Sequence, residues 1–379
     1  MVDPFKKVVF LPDEFSTQLA KDTHKVLGDY SKIKRLRIPG GLREFYPSDL
    51  VTTIQRNGEL TPEIKTTVRG RDVYVFVSPV VSREGIIVYD ANVPIMRACL
   101  IADACREAGA DRINLVMPHM PYQRQDRRTT DKKTGAEKRE PISARLTLSL
   151  LQAAGYKQLV TVDPHFQQYK GFIPRGMYTE TPTSRVALTS YLQRKFNPEG
   201  NLKFGVVSPD FGGGERAGIT AKDLESLFLG LCRKRRPRAG VIGDMKVYFE
   251  EGIKPSETEL AIIYDDIADS CGTMEKCARA LKALGIPKII GVAAHPVFSD
   301  GAMERLYALN LTKELNLEMV VSNSIPLTNP PSNIHVVDIS TILGVTLHCI
   351  TTGHGSLTQD IFDPKRYQKL EQKLKEMQS

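Results

Sequence analysis

Residues 265–273, which read DDIADSCGT, hold the side chains most suited to chemistry in this 379-residue chain. They begin at the end of the apolar run LAIIY, so the adjacent carboxylates of Asp265 and Asp266 fall at the predicted end of a β-strand. A turn of small and polar residues then opens a predicted helix: Asp269, Ser270, Cys271, Gly272 and Thr273. Consecutive backbone N–H groups at a helix N-terminus bind anions, and carboxylates accept hydrogen bonds from sugar hydroxyls or hold a divalent cation. The segment therefore predicts a loop that binds a phosphorylated ribose by its 5-phosphate and its 2,3-diol.

An alternative interpretation of this segment is a turn that only caps the following helix, with Asp269 or Ser270 as the N-cap. A capped turn accounts for one or two polar residues. It does not account for two adjacent carboxylates followed by a glycine-containing anion nest, so we favour the ligand-binding interpretation.

The net charge of +8 is concentrated in two segments. Residues 124–140 contain seven basic and four acidic side chains, and residues 233–238 (RKRRPR) contain five basic and no acidic ones. Together these segments account for the whole excess, which suits a small polyanion such as a nucleoside triphosphate. A nucleic-acid-binding protein more often has a broad basic stripe with interleaved aromatic residues, so we expect no nucleic-acid partner. The alternative is two solvated surface loops.

Apolar strand-like runs alternate with amphipathic helical patterns along most of the chain. The predicted strands are residues 72–78, 112–118, 158–164, 204–210, 227–232, 260–266, 288–295 and 318–323, and the predicted helices are 94–108, 141–155 and one that begins near Thr273. Continuous apolar strands separated by helices predict parallel sheets buried on both faces, hence two doubly wound α/β domains. We expect a boundary within residues 179–184, which gives domains 1–181 and 182–355 and a tail, 356–379, that packs back on the first domain. Residues 336–340 and the following helix are also expected to return to the first domain.

The composition indicates a cytoplasmic protein without a membrane anchor. No apolar run is long enough to cross a bilayer, and the N-terminal residues MVDPFKKVVF do not form a secretory signal. The six cysteines lack metal-ligand spacing, so we expect them all to be reduced thiols.

From about residue 68 to 362, the chain resembles the ribose-phosphate pyrophosphokinases, also called phosphoribosyl pyrophosphate synthetases. The resemblance rests on five blocks in one order: PYQRQDR (121–127), EPISARL (140–146), DPHFQQYKGF (163–172), VVSPDFGGGERA (206–217) and DDIADSCGT (265–273). HPVFSDGAMERL (295–306) and GHGSLTQDIF (353–362) add to it. One block alone would be weak evidence, but the ordered set is highly specific.

The resemblance implies a fold and a reaction. The fold is α/β, with two doubly wound parallel-sheet domains of the type I phosphoribosyltransferase-like kind. In the reaction, the 1-hydroxyl of ribose 5-phosphate attacks the β-phosphorus of ATP, and the products are AMP and 5-phospho-α-ribose 1-diphosphate. Such a transfer depends on positioning and on neutralising the charge of the triphosphate, so it implies Mg²⁺ and basic side chains.

The resemblance also implies a role for particular residues. The ATP site would comprise Arg124, Gln125, Asp126, Arg127, Arg128 and His165, with Phe45, Ser48 and Asp49 in the adenine-binding segment. The ribose 5-phosphate site would comprise Asp265, Asp266, Asp269, Ser270, Cys271, Gly272 and Thr273, together with Arg236. Catalysis is assigned to Lys234 and Arg236, Mg²⁺ to His165 and Asp210, and allosteric phosphate or ADP to the segment with Ser356 and Thr358. Asp163 is expected to orient the ring of His165.

The chain departs from the family pattern in its first part. FYPSD (45–49) matches the adenine-binding segment only at its ends, and residues 58–67 and 82–90 resemble insertions, while the loop 127–140 is longer than usual. Members of this family assemble from dimers into hexamers, so the resemblance implies a homo-oligomer whose packing these differences affect.

Two other functions fit parts of the sequence. A non-catalytic regulatory subunit with the same fold would be expected to have lost catalytic residues, yet Lys234, Arg236, His165, Asp210 and Asp265 are all present. A phosphoribosyltransferase would share the DDIADSCGT loop, but this function does not account for the RQD, DPH and KRRPR segments.

Overall fold

The computed structural model describes residues 8–234, 245–252, 254, 258–299, 301–311, 315 and 317–377, without the side chains of residues 167, 233, 234 and 311. Among these residues, no helix is long and apolar enough to span a membrane.

A five-stranded parallel sheet forms the first half of the molecule. Its order is β1 (Val8–Pro12), β4 (Asp72–Phe76), β7 (Arg112–Val116), β8 (Gln158–Val160) and β9 (Tyr178–Glu180). Every residue of β1 and β4 is buried, as expected for strands covered on both faces. Two antiparallel hairpins are formed by β2 (Leu50–Ile54) with β3 (Leu60–Ile64) and by β5 (Val80–Arg83) with β6 (Ile86–Tyr89). They overlap residues 58–67 and 82–90, which resemble insertions, although β2 precedes the first of these regions.

A seven-stranded sheet forms the second half. Its order is β12 (Met245–Phe249), β11 (Leu227–Lys234), β10 (Phe204–Ser208), β13 (Leu260–Ala268), β14 (Lys288–Pro296), β15 (Glu318–Ser322) and β16 (Ile334–Val337). All neighbouring strands are parallel except β11 and β12. The predicted strands in this half are thus present, and β12 and β16 extend the sheet at its two edges.

Helices cover the faces of both sheets. They are α1 (Thr17–Lys34), α2 (Val93–Glu107), α3 (Ser143–Ala154), α4 (Arg185–Phe196), α5 (Gly214–Asp223), α6 (Gly272–Ala283), α7 (Ala302–Leu311), α8 (Ser340–Thr352), α9 (Leu357–Asp360) and α10 (Pro364–Glu376). One apolar core, which includes Tyr74, Val206 and Leu347, joins the two sheets with α1, α4 and α8, and separate cores lie under α2 and α3 and under α6 and α7.

The chain passes from β9 to α4 at residues 181–184, where the sequence predicts a domain boundary, and that division stays a prediction. The expectation that residues 336–340 return to the first domain is wrong for the strand, because β16 pairs with β15. The following helix, α8, packs closely on α1, and its assignment to the first domain stays a prediction. A Cβ atom added to Gly344 would lie 2.5 Å from Cγ1 of Val26, so only glycine permits this approach.

The expectation that all cysteines are reduced is wrong for two of them. Cys232 in β11 and Cys277 in α6 form a disulfide, with their Cα atoms 6.3 Å apart, whereas Cys99, Cys105, Cys271 and Cys349 are free. The two partners are separated by 45 residues in sequence and meet because α6 packs across that edge of the sheet. Their spacing in the sequence gives no sign of this contact.

Candidate active site

The predicted phosphate loop lies at the carboxyl end of β13, where α6 begins. Cys271 adopts a left-handed backbone conformation with φ of 58°, which turns the chain into the helix. The loop borders a cavity of about 290 Å³ that is lined by Arg124, His165, Asp210, Gly212, Arg216 and residues 265–274. Burial raises the pKa of the Cys271 thiol to about 12, so this residue contributes its backbone and an uncharged side chain. The cavity therefore joins the predicted anion nest to side chains from both halves of the molecule.

Three contacts fix His165 at this cavity. Its ring Nδ1 lies 2.6 Å from Oδ2 of Asp266, and its backbone N–H donates to Oε1 of Gln123 at 2.8 Å. Its carbonyl oxygen accepts a hydrogen bond from Nη1 of Arg216 at 3.2 Å. We name this arrangement of His165, Gln123, Arg216 and Asp266 the histidine clasp. Because Nδ1 is engaged, Nε2 is the ring nitrogen that can serve a ligand in the cavity.

The ring of His165 is thus oriented by Asp266, and the expectation that Asp163 orients it is wrong. Oδ2 of Asp163 instead accepts hydrogen bonds from the backbone N–H and the hydroxyl of Ser184, at 2.7 and 2.5 Å. Asp163 therefore holds the chain at the residue before α4 begins.

The pKa values of the adjacent carboxyl groups of Asp265 and Asp266 are shifted in opposite directions. Burial raises the pKa of Asp265 well above its usual value, and the nearby charges of Asp266 and Asp210 raise it further. Burial also opposes ionisation of Asp266, but the hydrogen bond from His165 and the charge of Arg216, whose Nη2 lies 3.2 Å from Oδ1, lower its pKa below the usual range. The surroundings therefore favour the ionised form of Asp266 and disfavour the ionised form of Asp265.

The donor set at this cavity fits a Mg²⁺ ion. Within the described part of the chain, no three His, Cys, Asp or Glu side chains form a ready metal cage. However, Asp210, Asp265 and His165 all line the cavity, and the crowding of negative charge that raises the pKa of Asp265 is what a cation would relieve. Mg²⁺ commonly binds through one or two carboxylates and completes its shell with water and substrate phosphates. Oδ1 of Asp210 is held in place by the N–H of Gly213 at 2.9 Å.

Arg124 is the basic residue of the RQD segment that reaches the cavity. It forms an ion pair with Asp269 of the phosphate loop, whose other oxygen accepts a hydrogen bond from Ser299. Its side chain is 63% exposed, so the pair contributes little to stability and can reorganise around an anion.

The other residues of that segment have different surroundings. Gln125 accepts a hydrogen bond from Ser143 at 2.6 Å, Asp126 is half-buried and Arg127 is exposed. Arg128 donates to the carbonyl of Glu140 at 3.1 Å and pairs with Glu137 in its own loop. Their assignment to ATP stays a prediction.

Several predicted site residues lie away from the cavity or outside the described chain. Phe45, Ser48 and Asp49 do not line it, and Asp49 is buried against Arg43. The side chain of Lys234 and all of Arg236 lie outside the described residues.

The predicted effector segment lies beside another cavity. Ser356 caps α9 by accepting the N–H of Gln359 at 3.3 Å. Thr358 lines a separate cavity of about 580 Å³ with Lys170. An effector role for Ser356 and Thr358 stays a prediction.

Two members of the clasp, Arg216 and Gln123, were not predicted from the sequence. Arg216 is the third residue of α5 and follows the glycine turn of VVSPDFGGGERA. A basic residue so close to the turn could have been predicted to face the site. Gln123 acts on His165, which is 42 residues away, and nothing in the sequence links them.

Comparisons with known protein families cover most of the chain. Residues 16–155 match a model of the N-terminal domain of ribose phosphate pyrophosphokinase, and residues 230–359 match a phosphoribosyl synthetase-associated domain. A ribose-phosphate pyrophosphokinase from a Marinomonas species is 34% identical over 73% of this chain and 78% of its own length. The corresponding protein of Bordetella pertussis is 35% identical over 77% of this chain and 85% of its own length.

A solved structure supports the same fold. The phosphoribosylpyrophosphate synthetase of Mycobacterium smegmatis superimposes with a TM-score of 0.71 at 24% identity, covering 92% of this chain and 100% of that one. The α/β fold with type I phosphoribosyltransferase-like parallel sheets, predicted from the sequence, is therefore confirmed.

Proposed function

The chain belongs to the ribose-phosphate pyrophosphokinase family, and we propose that it transfers the β,γ-diphosphoryl group of ATP to the 1-hydroxyl of ribose 5-phosphate. The products would be AMP and 5-phospho-α-ribose 1-diphosphate. One observation carries the proposal: the phosphate loop shares its cavity with Arg124, His165 and Asp210. An anion nest alone would suit any enzyme that acts on phosphoribosyl compounds. A basic side chain and metal-ligand side chains in the same cavity suit a polyphosphate donor in addition.

The loop is the proposed site of the acceptor sugar. Backbone N–H groups of residues 269–273 would bind the 5-phosphate at the N-terminus of α6, where the helix dipole favours negative charge. Asp265 would accept hydrogen bonds from the diol, because its carboxyl group lines the cavity. Both carboxylate oxygens of Asp266 already have partners in the clasp, so we assign it chiefly to positioning His165.

Mg²⁺ is the proposed cofactor, held by Asp210, Asp265 and Nε2 of His165 together with water and substrate oxygens. When bound, it would neutralise charge on the triphosphate. Arg124 would leave Asp269 to pair with the donor phosphates. Lys234 and Arg236 are the proposed catalytic cations that stabilise charge on the transferring group.

The decisive experiment is an assay for AMP with purified protein, Mg²⁺, ATP and ribose 5-phosphate. We expect AMP and 5-phospho-α-ribose 1-diphosphate in equal amounts, and no AMP when ribose 5-phosphate is omitted. An absence of AMP over a range of phosphate concentrations would reject the proposal and favour the regulatory subunit.

Substituting Lys234 by alanine is expected to lower turnover by at least about 100-fold, as for loss of one group that stabilises a transition state, with little change in ATP binding. Lys246→Ala is the matched control, because Lys246 is a surface lysine on β12, opposite Arg233 in the strand pair. The measurements are kcat and the dissociation constant of ATP. Equal losses in both for Lys234→Ala would show that this lysine serves ordinary binding.

We also propose a cytoplasmic homo-oligomer, built from dimers and up to a hexamer, with phosphate and ADP as effectors. By the family resemblance, Phe45 would contribute to a neighbouring subunit's site. Sedimentation velocity that finds only monomer at assay concentrations would reject the oligomer.

A further inference from the structure

The start of the phosphate loop is held by residues that follow β14, the strand next to β13 in the sheet. The backbone N–H of Phe298 donates to the carbonyl oxygen of Ala268 at 2.9 Å. The hydroxyl of Ser299 donates to the carboxylate of Asp269. These contacts tie two successive residues of the loop to the neighbouring strand.

Arg305, on α7, holds the next residue of the loop. Its Nη1 donates to the carbonyl oxygen of Ser270 at 3.0 Å. A Cβ atom added to Gly272 would lie 3.9 Å from the same nitrogen, so the guanidinium group also reaches the first residue of α6. Arg305 is exposed and is not among the residues that line the cavity at the phosphate loop. It therefore contacts the loop from outside that cavity.

The bond to Ser270 determines the direction of a backbone N–H group. A trans peptide group is planar, and its C=O and N–H bonds point in opposite directions. The carbonyl of Ser270 and the N–H of Cys271 belong to one such group, so a carbonyl held towards α7 turns this N–H away from α7. Cys271 has a φ of 58°, which residues other than glycine rarely adopt, so this turn needs support from its surroundings.

We propose that Arg305 is a positioning residue of the acceptor site, which fixes the peptide group between Ser270 and Cys271 before the sugar binds. The N–H of Cys271 is then already oriented for the 5-phosphate. The charge of Arg305 beside the N-terminus of α6 adds to the helix dipole and favours an anion there. The inference rests on the proposed role of the loop as the ribose 5-phosphate site, and it assigns a function to a residue outside DDIADSCGT.

Calorimetric titration of the full chain with ribose 5-phosphate tests the proposal without the transfer reaction. Arg305→Met keeps the length of the side chain and removes the donor, and it should weaken binding by about tenfold, the equivalent of one charge-assisted hydrogen bond. Arg305→Lys keeps a cationic donor and should stay within about threefold of wild type. Arg279→Met is the matched control, because Arg279 lies on α6, pairs with Glu275 at 3.0 Å and does not line the cavity. It should leave the affinity unchanged.

Kinetics give a second measurement of the same effect. In an active enzyme, Arg305→Met should raise KM for ribose 5-phosphate by about tenfold and leave kcat and KM for ATP within about twofold, because only the phosphate of the acceptor depends on this peptide group. A purely structural role for Arg305 would lower Tm without this selective change in KM.

The outcomes separate this proposal from the proposed reaction. Wild-type affinity in Arg305→Met, or equal losses in Arg305→Met and in either Arg305→Lys or Arg279→Met, would overturn it. Should Arg305→Met fold poorly, Arg305→Gln removes the charge, and wild-type affinity in that variant would overturn it equally. Absence of ribose 5-phosphate binding to wild type would overturn it together with the acceptor site. Binding of the sugar without AMP formation would reject the transfer alone and leave the role of Arg305 standing.

Discussion

Asp266→Asn is expected to lower turnover by about 10- to 100-fold, the usual loss when a carboxylate that orients a metal-binding histidine is removed. The Asp266 carboxylate engages Nδ1 of His165 at 2.6 Å and Arg216 at 3.2 Å. An amide oxygen carries no charge and serves only one of these donors, so Nε2 of His165 loses its fixed direction. Because Asp266 is only 3% exposed, we also expect a loss of about 1–3 kcal/mol in the free energy of unfolding.

A second carboxylate in the chain provides a matched control. Glu318, the first residue of β15, engages Nε2 of His335 at 2.7 Å and Lys288 at 3.3 Å and does not line the cavity. Glu318→Gln should cost at most about 1 kcal/mol, as for a partly exposed pair, and leave kcat unchanged. Urea denaturation and the AMP assay on both variants separate stability from positioning. An unchanged kcat in Asp266→Asn would refute the role of the clasp.

The stability effect at Asp266 should depend on pH in a defined direction. The folded protein holds the pKa of Asp266 below its usual value, so the stabilisation is fully present above the unfolded pKa of about 4. It is lost as the pH falls through the lower pKa of the folded state. The difference in unfolding free energy between wild type and Asp266→Asn should therefore shrink below about pH 4.

The sequence was sufficient to predict the elements whose signals lie within one short segment of the chain. The runs DVYVF and FGVVS each contain only one polar residue among five, and each forms a fully buried parallel strand. The DDIADSCGT loop follows a strand and opens a helix as predicted, since end-of-strand acids and a glycine turn are adjacent in the chain.

Contacts between distant segments could not be predicted in the same way. Gln123 reaches His165 because β7 and β8 are neighbours in the first sheet, and Arg216 reaches it because the carboxyl ends of the two sheets meet. No periodic pattern in the sequence encodes either contact. The disulfide between Cys232 and Cys277 depends equally on how α6 lies on the sheet. The strands of the hairpins β2–β3 and β5–β6 were not predicted, because they are short and mostly exposed or half-buried; the sequence indicated only insertions at residues 58–67 and 82–90.

Asp265→Asn is expected to raise the free energy of unfolding, whereas Asp266→Asn lowers it. Asp265→Asn should also lower turnover by about 10- to 100-fold, because a charged hydrogen-bond acceptor is lost. Burial and the charges of Asp266 and Asp210 raise the pKa of Asp265, so this carboxyl group is costly to ionise in the fold but not in the unfolded chain. Asparagine removes that cost, and a gain of about 1 kcal/mol at pH 7 is expected for relief of a strained active site.

The sign of the pH dependence distinguishes this explanation from a packing effect. Because the pKa is raised in the fold, wild-type stability falls as the pH rises above the unfolded value of about 4, so the advantage of Asp265→Asn should grow from pH 4 towards pH 7. Urea denaturation across this range measures it, and a variant less stable than wild type at pH 7 would contradict it. Mg²⁺ and ribose 5-phosphate should raise the Tm of wild type more than that of the variant, because their binding favours the ionised carboxylate that the variant lacks. The carboxylate of Asp265 would thus lower the stability of the free protein, and binding of the cation and the sugar would offset that cost.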